Sequence, residues 1–218
     1  MARVTANGLY LTTNQGLSWT NVLSDVYIWY LSVKNNSIVA NISNNFGYYI
    51  VYSSNNGQSW FTSNDSGIYN KACSDILIKN NSLFYASQVA GVFKSSDFGN
   101  SWYPSNNGLY SFDIRNLFAG NSLFVTTDCG TFRSTDLGGS WNYNNEHMLG
   151  SNCIFNGKLY AADMYNSNIY YSGNDGNDWI NISSTCGSVT CFHPYNNTLY
   201  ITGSGYLFSS NDGEAFTQ

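Results

Sequence analysis

Charge is what this sequence has least of. Only 10 % of its 218 residues are charged, and the helix-favouring members are few: two Glu, five Lys and three Arg. No window carries a sustained 3.6-residue apolar stripe, which argues against amphipathic helices. There is no basic stripe either, and the net charge is −5. Binding a phosphate backbone requires clustered Lys and Arg, so no nucleic-acid partner is expected. No apolar run approaches the roughly 18 residues that span a bilayer as a helix, so no membrane span is expected. The opening "MARVTANGLY" lacks the apolar core of a secretory signal. Cys73, Cys129, Cys153, Cys186 and Cys191 fall in no Cys-x-x-Cys or Cys/His spacing that would hold zinc. The expectation is therefore no metal and no cofactor. Cys186 and Cys191 are spaced to close a small loop in an oxidising compartment; ordinary buried thiols are the simpler reading.

What the chain does have is aromatic and small polar residues. Aromatics make up 17 %, too many for a disordered chain. Abundant Asn, Ser, Gly and Tyr suit short strands joined by polar turns. Low Lys with high Asn, Ser, Thr and Tyr is common among secreted β proteins. On that association the expected location is extracellular or at the cell surface, with any signal peptide outside this chain.

One phrase recurs. "TTNQGLSW" starts at Thr12, "SSNNGQSW" at Ser53, "SSDFGNSW" at Ser95, "STDLGGSW" at Ser134, "SGNDGNDW" at Ser172 and "SSNDGEAF" at Ser209. The starts are 41, 42, 39, 38 and 37 residues apart. A period near 40 marks a repeat architecture. Within one period, "DIRNLFA", "SLFVTT", "TFRST" and "SWNYN" are apolar-rich runs bounded by Gly, Asn and Asp turn signals. Four short antiparallel strands at this period are the unit of a β-propeller blade.

The phrase then lies on the hairpin between the third and fourth strands. Asp97 and Asp136 are placed to accept from backbone N–H groups of their own turn, as are Asn14, Asn55, Asn174 and Asn211. Gly99 and Gly138 are expected at positive φ. Trp102 and Trp141 are expected to pack between adjacent blades. Six copies also argue against catalysis by these acids, since a catalytic group is needed once.

These six segments resemble the Asp-box, or BNR, repeat of sialidases, sortilin-type receptors and secreted bacterial propellers. The resemblance covers nearly the whole chain. It implies an all-β propeller of six repeats, one domain over residues 1–218. It implies little about activity, because the repeat is structural and shared by enzymes, lectins and scaffolds.

Counting strands leaves the first blade short. Only "MARVTANGLYL" precedes the first phrase, which holds two strands, and "EAFTQ" reads as the fourth strand of the last blade. The expected total is about 23 strands, with the innermost strand of the first blade missing. A six-bladed ring with a defective first blade is the favoured reading. A piece of a longer array, or self-association through a strand donated to the incomplete blade, are the alternatives.

Propeller ligands usually meet the face built from the strand 4–1 and strand 2–3 loops. In this sequence those loops carry Asp25, Tyr27, Trp29, Tyr69, Tyr110, Asp113, Arg115, Asp128, Glu146, His147, Asp163 and Tyr165. Trp29 is the only Trp outside a repeat phrase, placed either to stack on a sugar or peptide or to fill the axis. Arg115 is placed to bind a carboxylate, or to pair with Asp113 or Asp128. Glu146 and His147 are adjacent and would point opposite ways on an extended chain, which argues against a dyad. The ligand-binding candidates are Tyr27, Trp29, Tyr110, Asp113, Arg115, Asp128, Glu146, Asp163 and Tyr165.

A sialidase-like glycoside hydrolase requires three converging arginines. Here Arg133 falls beside its repeat phrase, toward the outer blade, and Arg3 falls in the incomplete blade. Another glycosidase would need two carboxylates about 5 to 10 Å apart; Asp113, Asp128, Glu146 and Asp163 are available, with nothing in their spacing to single out a pair. The favoured reading is a non-catalytic binding or adhesion propeller for a glycan or protein ligand. A hydrolase and a structural module joined through the open blade are the alternatives. Sequons at Asn35, Asn41, Asn64, Asn80, Asn181 and Asn196 are no more than this composition produces by chance.

Overall fold

The computed structural model describes residues 2–5, 8–68, 72–166, 168–182 and 187–218; Tyr69 and Cys186 lie outside the described residues. Among the described residues the only helical element is a single 3₁₀ turn at Asp65–Gly67. Everything else that is regular is strand, arranged as six antiparallel sheets in chain order.

The first sheet holds β1 (Ala2–Thr5), β2 (Gly8–Leu11) and β3 (Thr20–Ser24). The second runs β4 (Tyr27–Lys34), β5 (Ser37–Asn44), β6 (Gly47–Ser53), β7 (Phe61–Thr62). The third is β8 (Cys73–Lys79), β9 (Ser82–Ser87), β10 (Gly91–Ser95), β11 (Tyr103–Pro104). The fourth is β12 (Ile114–Ala119), β13 (Leu123–Thr127), β14 (Gly130–Ser134), β15 (Asn142–Asn145). The fifth is β16 (Leu149–Phe155), β17 (Lys158–Asp163), β18 (Ile169–Ser172), β19 (Ile180–Asn181). The sixth is β20 (Val189–Tyr195), β21 (Thr198–Gly203) and β22 (Tyr206–Ser210). Up-and-down sheets of this size repeated along a chain are the blades of a β-propeller.

The first sheet has three strands, and its repeat loop lies between β2 and β3, so the position without a strand is the inner one. The sixth sheet departs from expectation. "EAFTQ" forms a single bridge, Thr217 to Ser209, rather than a full fourth strand. The reason is local: Asp212 Oδ1 accepts from the Glu214 and Ala215 N–H groups, at 2.8 and 3.1 Å, so these amides serve the loop instead of a ladder.

Turn chemistry explains the hairpins. Asn80–Asn81, Asn156–Gly157 and Asn196–Asn197 each place two successive residues at positive φ, the type I′ geometry that matches strand twist. The outermost strands β7, β11 and β19 are only two residues long, and β11 carries Pro104, both devices that blunt an exposed edge.

The repeat loops are built alike in five of six copies. Ser95 Oγ donates to Asp97 Oδ1 at 2.8 Å and accepts Gly99 N at 2.7 Å, while Asp97 Oδ1 accepts Ser101 N at 2.9 Å. The same three bonds occur at Thr12/Asn14/Gly16, Ser53/Asn55/Gly57, Ser134/Asp136/Gly138 and Ser172/Asn174/Gly176. Gly99 and Gly138 adopt φ of +91° and +80°, and the preceding Phe98 and Leu137 are also left-handed. The sixth loop corrects the sequence register. Ser210 and Asp212 take the roles assigned to Ser209 and Asn211, and Gly213 N donates to Ser210 Oγ at 2.8 Å. Asn211 instead accepts from Thr198 Oγ1. This loop is one residue shorter, so the phrase aligned on its glycine is out of step with the strand pairing of Ser210 with Leu199.

The loop aromatics link successive sheets. Trp60 Nε1 donates to Val22 O at 2.7 Å, Trp102 Nε1 to Ser63 Oγ at 2.8 Å, and Trp179 Nε1 to Asn144 Oδ1 at 2.9 Å. Each indole reaches the outermost segment of the sheet before its own.

The chain folds into two compact units, residues 1–106 with 112–117, and residues 107–111 with 118–218. The first is filled by Leu9, Ile38, Ala40 and Val51, and by Ile76, Leu83, Tyr85, Phe93 and Trp102. The second is filled by Phe118, Phe124, Leu149 and Leu159, and by Tyr160, Ile169, Leu199 and Ile201.

Candidate functional site

In the first unit the second sheet carries an exposed aromatic cluster. Tyr27 lies opposite Ser43, and Ser43 lies opposite Tyr48, so all three share one end of the sheet. Between Ile28 and Tyr30 the pairing slips by one residue, and Trp29 is the extra residue of this bulge. Bulges re-aim side chains, and here the result is an indole 49 % exposed next to the buried Ile28. The inner strand β8 slips at the equivalent place, at Ser74, and β20 at Thr190; only the second sheet puts an indole there.

The Trp29 ring is held. Its Nε1 donates to Ser43 Oγ at 2.9 Å. The Tyr27 ring lies 4.6 Å from it at 56°, and the Tyr48 ring 6.1 Å away at 39°. The three rings therefore form a notch rather than a flat platform. Phe46, at the tip of the β5–β6 hairpin, is also exposed.

Beside the rings opens a cleft of about 500 Å³ lined by Trp29, Tyr30, Asn41, Tyr48, Ala72, Cys73 and Gln88. No charged side chain is among these residues. Asn41, 4 % exposed, lines both this cleft and a smaller adjoining pocket that it shares with Tyr48 and Asp65. Cys73 lies on the cleft wall with its thiol pushed well above its ordinary value by burial, with Asp75 adding to the shift, so it is a protonated, unreactive wall group.

Beneath the wall, Asp75 accepts from Ile76 N at 2.8 Å and Leu117 N at 3.1 Å. Burial nevertheless outweighs these donors and raises its pKa to about 6. Asp113 and Arg115 form an ion pair at 2.7 Å. That pair occupies the guanidinium that the sequence offered for a ligand carboxylate.

The remaining sequence candidates lie in the second unit. Tyr110 and Tyr143 are exposed, with rings 6.2 Å apart at 26°, both packed edge-on to Phe132. Asp128 accepts from Ser111 Oγ. Asp163 closes its own hairpin tip by accepting from Tyr165 N at 2.9 Å and Asn166 N at 3.2 Å, which leaves the Tyr165 ring exposed. His147 stacks on Tyr170 at 4.2 Å, with Nδ1 at 4.0 Å from Asp163 Oδ2, and Glu146 is exposed. Arg133 is engaged by Ser122, Asn177 and Asp175, the last at 3.1 Å. Among the described residues no cluster of His, Cys, Asp and Glu is suited to a metal. Cys73 and Cys153 are partly buried, whereas Cys129 and Cys191 are exposed, which for Cys191 is contrary to the expectation of a buried thiol.

Sequence reasoning thus named Tyr27 and Trp29 but missed Tyr48, Asn41, Gln88 and Tyr143. Tyr48 closes "ISNNFGY", one of the strand 2–3 loops, but carries no signal that sets it apart from the chain's other tyrosines. Asn41 appeared only as a sequon, and its burial rules out glycosylation of the folded chain. What joins these residues is strand register, which no local motif reveals.

Comparison with known proteins gives fold and little more. No family model and no curated protein matches the sequence. Solved structures do. YCF48 bound to D1 peptide matches all of this chain and 77 % of its own, at 18 % identity and a TM-score of 0.70. The GH74 enzyme of Niastella koreensis matches 99 % of this chain and 42 % of its own, at 15 % identity and a TM-score of 0.76. A chain of the nidogen/laminin complex matches 100 % and 91 %, at 12 % identity and a TM-score of 0.66. Such matches establish the β-propeller fold alone.

Proposed function

We propose that this chain is a non-catalytic binding module of the Asp-box propeller type, taking an uncharged, extended ligand in the aromatic cleft of its first unit. The observation that carries the reading is Trp29: a half-exposed indole on a bulge, fixed by Ser43, on the wall of a cleft lined by uncharged polar and aromatic side chains. Pockets of a few hundred Å³ with aromatic walls and few convergent polar groups are the usual form of a ligand site. The repeated Ser-Asp/Asn-Gly loops support the Asp-box assignment, and the composition supports a location outside the cell.

A catalytic reading has less behind it. Arg115 and Arg133 are tied up in ion pairs, and Asp163 is spent on its own turn. Among the structurally similar propellers, one was solved with a peptide and another in a protein complex, which suits a binding role.

The test is retention of the labelled chain on an array of neutral oligosaccharides and uncharged peptides, with Trp29→Ala beside the wild type. Retention that disappears in the variant supports the reading. Retention equal in both, or cleavage of the arrayed ligand, overturns it.

A further inference from the structure

We infer that Asn156 is a self-modifying site. Its side-chain amide is lost through a cyclic imide formed with the backbone nitrogen of Gly157, which leaves an aspartyl or isoaspartyl residue at the tip of the β16–β17 hairpin. The inference is independent of the cleft and concerns the second unit.

The sequence contains four Asn-Gly steps: Asn7-Gly8, Asn56-Gly57, Asn107-Gly108 and Asn156-Gly157. Glycine matters here because it has no Cβ to shield the backbone nitrogen that follows the asparagine. In the reaction that nitrogen gives up its proton to solvent base and attacks the asparagine Cγ. An N–C bond forms, the bond to the side-chain nitrogen breaks, and ammonia leaves. Water then opens the five-membered imide. Breaking its N–Cγ bond gives aspartate; breaking its bond from N to the main-chain carbonyl carbon gives isoaspartate. Water is the only co-reactant, and nothing is oxidised or reduced.

The structure separates these steps. Asn7 lies outside the described residues. At the second step, Gly57 N donates to the buried Ser53 Oγ at 2.8 Å and Asn56 N to Asn36 O at 2.8 Å. A Cβ on Gly57 would stand 2.8 Å from Val22 Cβ, so the nucleophile is both bonded and crowded. At the third step, Asn107 O accepts from the N–H of the buried Trp141 at 2.8 Å, and a Cβ on Gly108 would collide with the Trp141 carbonyl. Attack requires rotation about the asparagine Cα–C bond, and at both steps that rotation drags a buried partner with it.

Asn156 and Gly157 are exposed, at φ of +48° and +73°, beyond the last ladder pair of Phe155 with Lys158. A Cβ on Gly157 would meet nothing within 4 Å. The tip therefore leaves its turn at the expense of one end pair, whereas the other two steps wait for a loop to open. The product changes the hairpin. Isoaspartate inserts a methylene into a two-residue turn whose length fixes the register of β16 on β17. Either product also adds a negative charge to the net −5, beside Lys158, which Glu214 already holds at 2.8 Å.

The experiment incubates the full chain in mildly alkaline buffer, once native and once unfolded in urea. Peptide mapping by mass spectrometry then follows conversion of amide to acid at each Asn-Gly step, and isoaspartate-specific methylation identifies the branched product. The expected result in the native chain is conversion at Asn156 about tenfold or more faster than at Asn56 or Asn107, with the three rates converging in urea. Native conversion at Asn156 no faster than at either of the others overturns the inference. So does conversion at Asn156 about tenfold or more slower in the native chain than in urea, because the turn would then protect the amide. The comparison needs no variant, so no failure to fold enters it.

Discussion

Trp29 Nε1 and Ser43 Oγ are joined by a 2.9 Å hydrogen bond across the first ladder of the second sheet. The bond decides which way the one indole outside the repeat loops faces. Without it the ring would be held only by its packing against Tyr27 and Tyr48. Ser43→Ala is expected to weaken ligand binding about threefold to tenfold, since a partly exposed hydrogen bond contributes about 1 kcal/mol. The melting temperature should stay within about 2 °C, because the bond lies at the surface. A large fall in stability with no change in affinity would show that the contact is structural.

The repeat-loop aspartates make an acid-labile set. Hydrogen bonds from the Ser101 and Ser140 hydroxyls, then from their backbone N–H groups, hold Asp97 and Asp136 at about 2. At Asp212 the Glu214 and Ala215 N–H groups do the same, again to about 2. Folded values below the unfolded ones mean a contribution that is present above about pH 4 and lost as pH falls through 2. Asn14, Asn55 and Asn174 make the same bonds without a titrating group. The double variant Asp97→Asn, Asp136→Asn should therefore unfold at lower pH than the wild type while changing little at pH 7. Acid titration followed by tryptophan fluorescence reads this directly; coincident wild-type and variant curves would refute it.

Asp75 has the opposite sign. Burial lifts its pKa to about 6 despite two backbone donors. A raised folded value contributes stability that is fully present below the unfolded pKa and is lost as pH rises through 6. The size is bounded at about 3 kcal/mol. The urea midpoint should fall between pH 5 and pH 7.5. Asp75→Asn should flatten that dependence and also lower stability by about 1 kcal/mol or more, since one of the two N–H groups loses its acceptor. A wild-type midpoint that does not move over this range would count against the account.

Tyr160 is wholly buried in the second unit, yet its hydroxyl has no hydrogen-bond partner among the described residues. Removing a buried, unpaired polar group relieves a desolvation penalty of about 1 kcal/mol or more. Tyr160→Phe is expected to raise the urea midpoint slightly, or at worst leave it unchanged. A drop of about 2 kcal/mol would mean that the hydroxyl is paired in solution.

Much of the fold was legible because each blade repeats its own local chemistry. Ser95, Asp97 and Gly99 lie within five residues, so a motif can spell out the loop they build. Likewise Asn-Asn and Asn-Gly pairs announce type I′ hairpins through their tolerance of positive φ. The sixth loop escaped because its register is set by the pairing of Ser210 with Leu199, and the extra serine at 209 made a shorter loop read as a full one.

The candidate site was half legible. Trp29 stood out by being the only Trp away from a repeat phrase. Asn41, Tyr48 and Gln88 did not, since each looks like an ordinary strand or turn residue. Sequence by itself determined the sheets and their turns, because hydrophobic alternation and turn residues act over a few positions. Tertiary structure alone decided the cleft: one slipped residue at Trp29 turns an indole outward, and ladders between strands bring Asn41 and Tyr48 beside it. Register is a property of pairs of strands, and no stretch of one strand encodes it.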